Sequence, residues 1–185
     1  MKFRSFSDKL AFLAATAALL SPVVVAHAAL QHTGSSEVAF DATGSMGMRI
    51  HGSTHDLEFR EDGENYVVKV PLGRLGTGIS LRDEHMRNYL DVAHHPEAIL
   101  TVPKAGITMP TTGATSGDAR GTMELHGRTH AITFHYRAEP RDGKIKVSGT
   151  ARLDIGDYGI EVPSYLGVTV NRQVNVSANF HVHDR

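Results

Sequence analysis

The stretch Thr122–Tyr136, TMELHGRTHAITFHY, carries the decisive pattern. Met123 and Leu125 alternate with Thr122, Glu124 and His126. Beyond the break His126-Gly127-Arg128-Thr129, Ile132, Phe134 and Tyr136 alternate with Thr133 and His135. A period of two puts apolar side chains on one face of a strand and polar ones on the other. A glycine break between two such runs predicts a hairpin, because glycine supplies the positive φ of a tight turn. The turn as read here holds three residues between His126 and His130, so these two histidines are expected to face each other across the hairpin. Two strands of this kind leave one oily face that other elements must cover.

Working outward, the same alternation recurs along the chain. It covers Val38 and Phe40, Met46 to Ile50, Leu57 and Phe59, Tyr66 to Leu72, and Ala98 to Val102. Toward the C-terminus it resumes at Ile145 to Ile155 and at Val174 to Val182. Glu61-Asp62-Gly63-Glu64-Asn65 and Arg141-Asp142-Gly143-Lys144 read as further hairpin turns. Gly73-Arg74-Leu75-Gly76 reads as a bulge or strand end. Thr108–Asp118, rich in Thr, Gly, Ser and Pro, reads as a surface loop. Ser80–Leu90 breaks the pattern. A capping Ser80, acids in the first turn, and Met86 and Leu90 at i, i+4 predict a short amphipathic helix. Eight or nine strands with one helix predict an all-β fold, either an antiparallel barrel or a sandwich. The pattern does not choose between them. The inward phase is mostly Val, Leu, Met and Ala, with no tryptophan in the chain. Such residues fill a barrel less completely than large aromatics, which favours a cavity.

Composition narrows function. Lys plus Arg total 19 and Asp plus Glu total 20, so no basic excess exists to neutralise phosphates and a general nucleic-acid binder is excluded. There are no cysteines, which removes disulfides, thiol catalysis, thiolate metal sites and lipidation on cysteine. Hydrophobic content of 41% is that of a folded domain. Residues 1–28 have the layout of a secretory signal peptide: Lys2, Arg4 and Lys9, then an apolar run Leu10–Leu20, then Ala26-His27-Ala28 as a small-x-small cleavage site. The run is too short to span a bilayer, and Pro22 follows it. The expectation is cleavage after Ala28 and a soluble periplasmic domain over 29–185, with no membrane span. That remainder carries 16 basic and 19 acidic residues.

Eleven of the 12 histidines lie in the mature part. His51 with His55, His94 with His95, His126 with His130 and His181 with His183 are pairs that could serve zinc or copper. Most fall on the polar phase of their strands, the usual place of a surface histidine. No Gly-x-Ser-x-Gly elbow, phosphate loop or dinucleotide fingerprint occurs, so no catalytic residue is assigned.

Four segments, in order, resemble the YceI-like family of bacterial lipocalin-like proteins. Val70–Leu90 contains Leu75-Gly76-Thr77-Gly78-Ile79 and then Leu81-Arg82-Asp83-Glu84-His85-Met86. A proline-led strand follows, His95-Pro96-Glu97-Ala98-Ile99-Leu100. Gly121–Thr129 resembles the family's Gly-x-Leu-x-x-x-Gly-x-Thr hairpin, and Asp157-Tyr158-Gly159-Ile160 its aromatic-Gly-Ile triplet. Departures are Leu100 where members usually have Phe, and Asp154-Ile155-Gly156 where many have an Asn-Arg pair. The resemblance implies an extended antiparallel lipocalin-like β-barrel of about eight strands with one short capping helix. It also implies binding, without turnover, of a polyisoprenoid or similar amphiphile such as an isoprenoid quinone, a prenyl phosphate or a fatty-acid derivative. The expected partner is that lipid, with no other cofactor and no metal; a homodimer through the barrel ends is compatible with it.

On this reading the tunnel is lined by Phe40, Met48 and Ile50, by Val68, Val70 and Ile79, and by Met86, Leu90, Leu100 and Val102. Met123, Leu125, Ile132, Phe134 and Leu153 continue the wall to Tyr158 and Ile160. Methionine suits a flexible chain because it adapts to irregular shapes. Arg82, Asp83 and His85 stand where the helix should cap one end and are the candidate headgroup contacts, Arg82 toward a phosphate in particular. The alternative for these three is a structural ion pair with helix capping. The competing function is a histidine-based metal-binding or stress-related periplasmic β-protein without a lipid ligand.

Overall fold

The structure is a computed structural model that describes residues 29–165 and 168–184. The leader, 1–28, lies outside the described residues. Among these, the strands are β1 Leu30–His32, β2 Glu37–Gly44, β3 Arg49–Thr54, β4 Glu58–Asp62, β5 Asn65–Pro71 and β6 Glu97–Pro103. They continue as β7 Thr115–Leu125, β8 Arg128–Arg141, β9 Lys144–Asp154, β10 Ser164–Tyr165 and β11 Val168–Asp184. One α-helix, α1 Ser80–Tyr89, lies between β5 and β6.

The fold is all-β and antiparallel, as the alternation predicts. Nine strands pair in the order β3-β2-β11-β9-β8-β7-β6-β5-β4, and the short β1 and β10 add to β11. The sheet curls into a half-barrel. Its two edge strands, β3 and β4, are consecutive in the chain, so residues 55–57 turn the corner between the edges. The β ladder does not cross this seam. Ser53 instead bridges to Gly76, with N···O distances of 2.9 and 3.0 Å. Ser36 and His55 pin the corner to the start of β2: the Ser36 hydroxyl donates to the His55 carbonyl, and His55 Nδ1 lies 2.9 Å from the Ser36 carbonyl.

Local chemistry explains the tight hairpins. His126 and Gly127 (φ 53° and 70°) and Asp142 and Gly143 (φ 52° and 73°) are two-residue turns with both central residues at positive φ. That geometry matches the twist of the flanking strands. It corrects the hairpin reading above. Leu125 pairs with Arg128 and Met123 with His130, so His126 sits in the turn and does not face His130.

Three further expectations are revised. The 108–118 loop ends early, because Thr115–Asp118 pairs with Ala138–His135 of β8. Availability of a partner strand overrides the turn-like composition. The last strand begins at Val168 and not Val174, with a register shift against β2 between Val170 and Val174. Ser80 does not cap α1. Ile79 holds the N-cap position without a side-chain cap, and the helix entry is fixed through Thr77 instead.

Among the described residues the packed core falls into four clusters, the two largest at the two ends of the half-barrel. At one end of the half-barrel, Leu30, Val38, Leu57, Phe59, Val147, Phe180 and Val182 form a buried cluster. The rings of Tyr66 and Phe180 lie 5.5 Å from that of Phe59. Under the other end, Leu72, Leu125, Leu153, Tyr158 and Ile160 form a second cluster. Between them the interior is open.

Candidate functional site: an apolar cavity

The inward phase of the strands encloses a cavity of about 960 Å³. Burial reveals it before its volume does. Val68, Val70, Leu100, Met123 and Ile132 stand on the inner face at mid-sheet, yet each is only half-buried. Inward side chains in a filled interior would be buried, as Val102, Phe134 and Leu153 are. Small residues widen the space on the β9–β11 side, where Gly149, Ala151 and Ala178 lie on the wall. Gly52 contributes differently: a Cβ there would fall 2.4 Å from the Phe40 ring, so glycine lets that ring lie across β3.

The Phe59, Tyr66 and Phe180 rings close the far end. Behind them Lys104 pairs with Glu61, and its ammonium lies 5.7 Å from the Tyr66 ring centre. Burial, followed by the Glu61 charge, raises the Tyr66 phenol above its ordinary pKa, so it stays neutral.

The opposite end is the mouth. It is rimmed by Met48, by Ile79 and the first turn of α1, and by Pro163 and Ser164. Polar side chains enter the wall here: Thr77, Arg82, His85 and Asn88. Arg82 is held in one orientation. Its Nε donates to Thr77 Oγ1 at 2.8 Å and its Nη2 to the Thr77 carbonyl at 3.0 Å. Asp83 accepts from the Thr77 N–H at 2.7 Å and from the Thr77 hydroxyl. These bonds from Thr77 hold its carboxyl below the ordinary aspartate pKa.

All the proposed lining residues except Tyr158 lie on the cavity wall, as do Arg82 and His85. Tyr158 lies beneath the wall, 1% exposed, among Leu72, Leu125, Leu153 and Ile160, with the His130 ring edge-on to it at 5.3 Å. Its backbone explains the placement. The chain turns at Asp154–Gly159, and His126 Nδ1 lies 3.0 Å from the Tyr158 carbonyl. Asp83 is likewise off the wall, because Thr77 engages its carboxylate. The wall also includes residues that sequence reading left unassigned. Val147, Ala151, Val176 and Ala178 were legible as inward strand residues. Leu72 ends the alternation that starts at Tyr66, whereas Leu75, Ile107 and Met109 come from turns and loops, where no periodicity marks them.

The histidine pairs are dispersed. His51 faces Asp41 on the outer surface at 2.9 Å, and His94 faces Asp91 at 2.7 Å. His95 stacks edge-on against His126 at 5.8 Å. Among the described residues no three His, Asp or Glu side chains are grouped to hold a metal ion. No helix among them is long and apolar enough to cross a membrane.

Comparisons with known proteins follow the same lines. A family model described as the YceI-like domain matches residues 26–182. A UPF0312 protein of Pseudomonas putida strain W619 is 25% identical over 142 residues, covering 69% of this chain and 72% of the relative. Among solved structures, a polyisoprenoid binding domain from Saccharophagus degradans superposes with a TM-score of 0.72 at 18% identity, covering 86% of this chain and 100% of that one. BcnA of Burkholderia cenocepacia superposes with a TM-score of 0.62 at 12% identity, covering 80% and 94%. At these identities the likeness is one of fold.

Proposed function

The chain belongs to the YceI-like domain family, and from that premise we propose that it is a non-enzymatic periplasmic carrier of a polyisoprenoid or similar long amphiphile. The observation that carries the proposal is the cavity: about 960 Å³, walled mostly by aliphatic and aromatic side chains, with Thr77, Arg82, His85 and Asn88 at one mouth. The solved fold relative described as a polyisoprenoid binding domain supports the same ligand class.

The energetics fit. Each isoprene unit removes five carbons from water. At about 0.8 kcal/mol per buried methylene, one unit contributes roughly 4 kcal/mol before ordering costs. A few units therefore suffice for tight binding without specific polar contacts along the chain. The ligand's polar end stays at the mouth, where Arg82 is preorganised by Thr77 and flanked by His85 and Asn88. A fixed guanidinium favours a phosphate or a quinone oxygen over an aliphatic terminus.

The test is organic extraction and mass spectrometry of protein purified from its own periplasm, followed by titration with a dansyl-tagged prenyl alcohol. Expected are a co-purifying prenyl lipid, a chain starting at Ala29, and saturable uptake near one probe per chain. Absence of saturable uptake of prenyl alcohols, prenyl phosphates, quinones and fatty acids alike would overturn the carrier reading. A chain retained in the cytoplasm with residues 1–28 intact would overturn the location.

A further inference from the structure

The large apolar side chains that stand exposed are concentrated at one place. Among the described residues they are Met46 at 88% exposure, Met48 at 38%, and Ile79 and Leu81 at 53% each. Met48, Ile79 and Leu81 also line the cavity, so one apolar surface runs unbroken from the inner wall over the lip. Met46 projects furthest, at the tip of the turn between β2 and β3. Its φ of 58°, followed by Gly47 at 75°, is that of a turn which the Met48 N–H closes on the Ser45 carbonyl at 3.4 Å, so the hairpin holds the side chain out from the packed surface.

We propose that this rim docks reversibly onto a lipid bilayer, which places the mouth against the acyl region so that a chain passes into the cavity without crossing water. The inference rests on the carrier reading and adds where loading occurs. Two observations select a bilayer as the occupant. The rim is continuous with a lipid-sized apolar cavity. Arg49 follows Met48 at the rim, while on α1 Arg82 and Arg87 are balanced by Asp83 and Glu84, which leaves a net positive charge beside the apolar lip. Basic residues next to apolar ones suit an anionic membrane surface.

The chain has no cysteine, so a single introduced one reports its own surroundings. An environment-sensitive dye on Met46→Cys is compared with the same dye on Glu64→Cys, at the exposed turn of the opposite end. Vesicles of phosphatidylcholine and phosphatidylglycerol in equal parts are the probe. Expected is a blue shift at position 46 and none at 64. A shift at both sites or at neither overturns docking. So does a shift at 46 that appears without vesicles and grows with protein concentration, which would mean that a second copy covers the rim. The companion variant is Met46→Asp, whose side chain tolerates positive φ and does not line the cavity. It is expected to take up a dansyl-tagged prenyl alcohol from dilute solution as the unsubstituted chain does, and to extract the same probe from vesicles at least about tenfold more slowly. Equal extraction overturns the proposal. Loss of uptake from solution in the unsubstituted chain would instead count against the carrier reading, so the two failures are distinct.

Discussion

Leu100→Asp is the substitution that most directly tests whether the interior holds a chain. Leu100 sits at mid-wall on β6, between Val68 of β5 and Met123 of β7, and it leans over Gly121. It is half-buried because it faces open space, so the free protein can leave an aspartate there hydrated and fold. A bound lipid displaces that water and leaves a carboxylate with no partner along an apolar wall. An unpaired buried charge costs about 3–5 kcal/mol. At 1.4 kcal/mol per tenfold, affinity for a dansyl-tagged prenyl alcohol should fall by roughly two to three and a half orders of magnitude. The sign of the pH dependence adds a second signature. A filled cavity raises the pKa of the new carboxyl, so affinity should recover as the solution is acidified toward its pKa. The unsubstituted chain and Leu100→Asn should lack that recovery. Leu100→Asn should lose only the cost of a polar group, about 1–3 kcal/mol. His181→Ala, half-buried on β11 and off the cavity wall, should bind normally. The measurement is fluorescence titration, with calorimetry confirming cooperative unfolding of each variant. Binding by folded Leu100→Asp within about threefold of the original would refute the reasoning.

Three other outcomes follow from the same geometry. A Cβ at Gly149 would meet nothing closer than a carbonyl oxygen at 3.9 Å, so Gly149→Phe should fold and fill part of the cavity; competition between short and long prenyl alcohols should show the long ones weakened at least about tenfold more than the short. Asp83 has a depressed pKa, so its contribution to stability is complete above the ordinary carboxyl range and is lost as pH falls through its lowered value. The melting temperature should hold from neutral pH to about 5 and drop below about 4, and Asp83→Asn should flatten that drop in scanning calorimetry. The Tyr158 hydroxyl is buried without a hydrogen-bond partner among the described residues; Tyr158→Phe should therefore be neutral or stabilise by up to about 1 kcal/mol in urea titration, while Tyr158→Ala should cost about 3–5 kcal/mol.

Much of the wall was legible in the sequence because strand alternation is a local property. Val68, Leu100, Met123 and Ile132 lie on one face by chain geometry alone, and any sheet that curls brings them together. Tyr158 and Asp83 were not legible in this way. Both sit beside wall residues in the sequence, but a turn carries Tyr158 beneath the wall and Thr77 draws the Asp83 carboxylate aside. Leu75, Ile107 and Met109 had no periodic neighbours to reveal them. The pairing of His126 and His130 failed for a related reason. A two-residue turn instead of a three-residue one changes which residues stand opposite, and register reverses with a shift of one residue.

The amino-acid sequence by itself determined an antiparallel β-domain with one helix, aliphatic inner faces and no cysteine chemistry. These are short-range consequences of side-chain period, turn residues and composition. Tertiary structure alone decided whether those inner faces interlock or stand apart. Packing depends on how far the sheet curls and on which small residues, such as Gly149, Ala151 and Ala178, come to lie opposite larger ones. It also decided that Met48, Ile79 and Leu81, exposed and from two separate segments, line one cavity. No local pattern encodes a distance between residues far apart in the chain; only the closing of the sheet does.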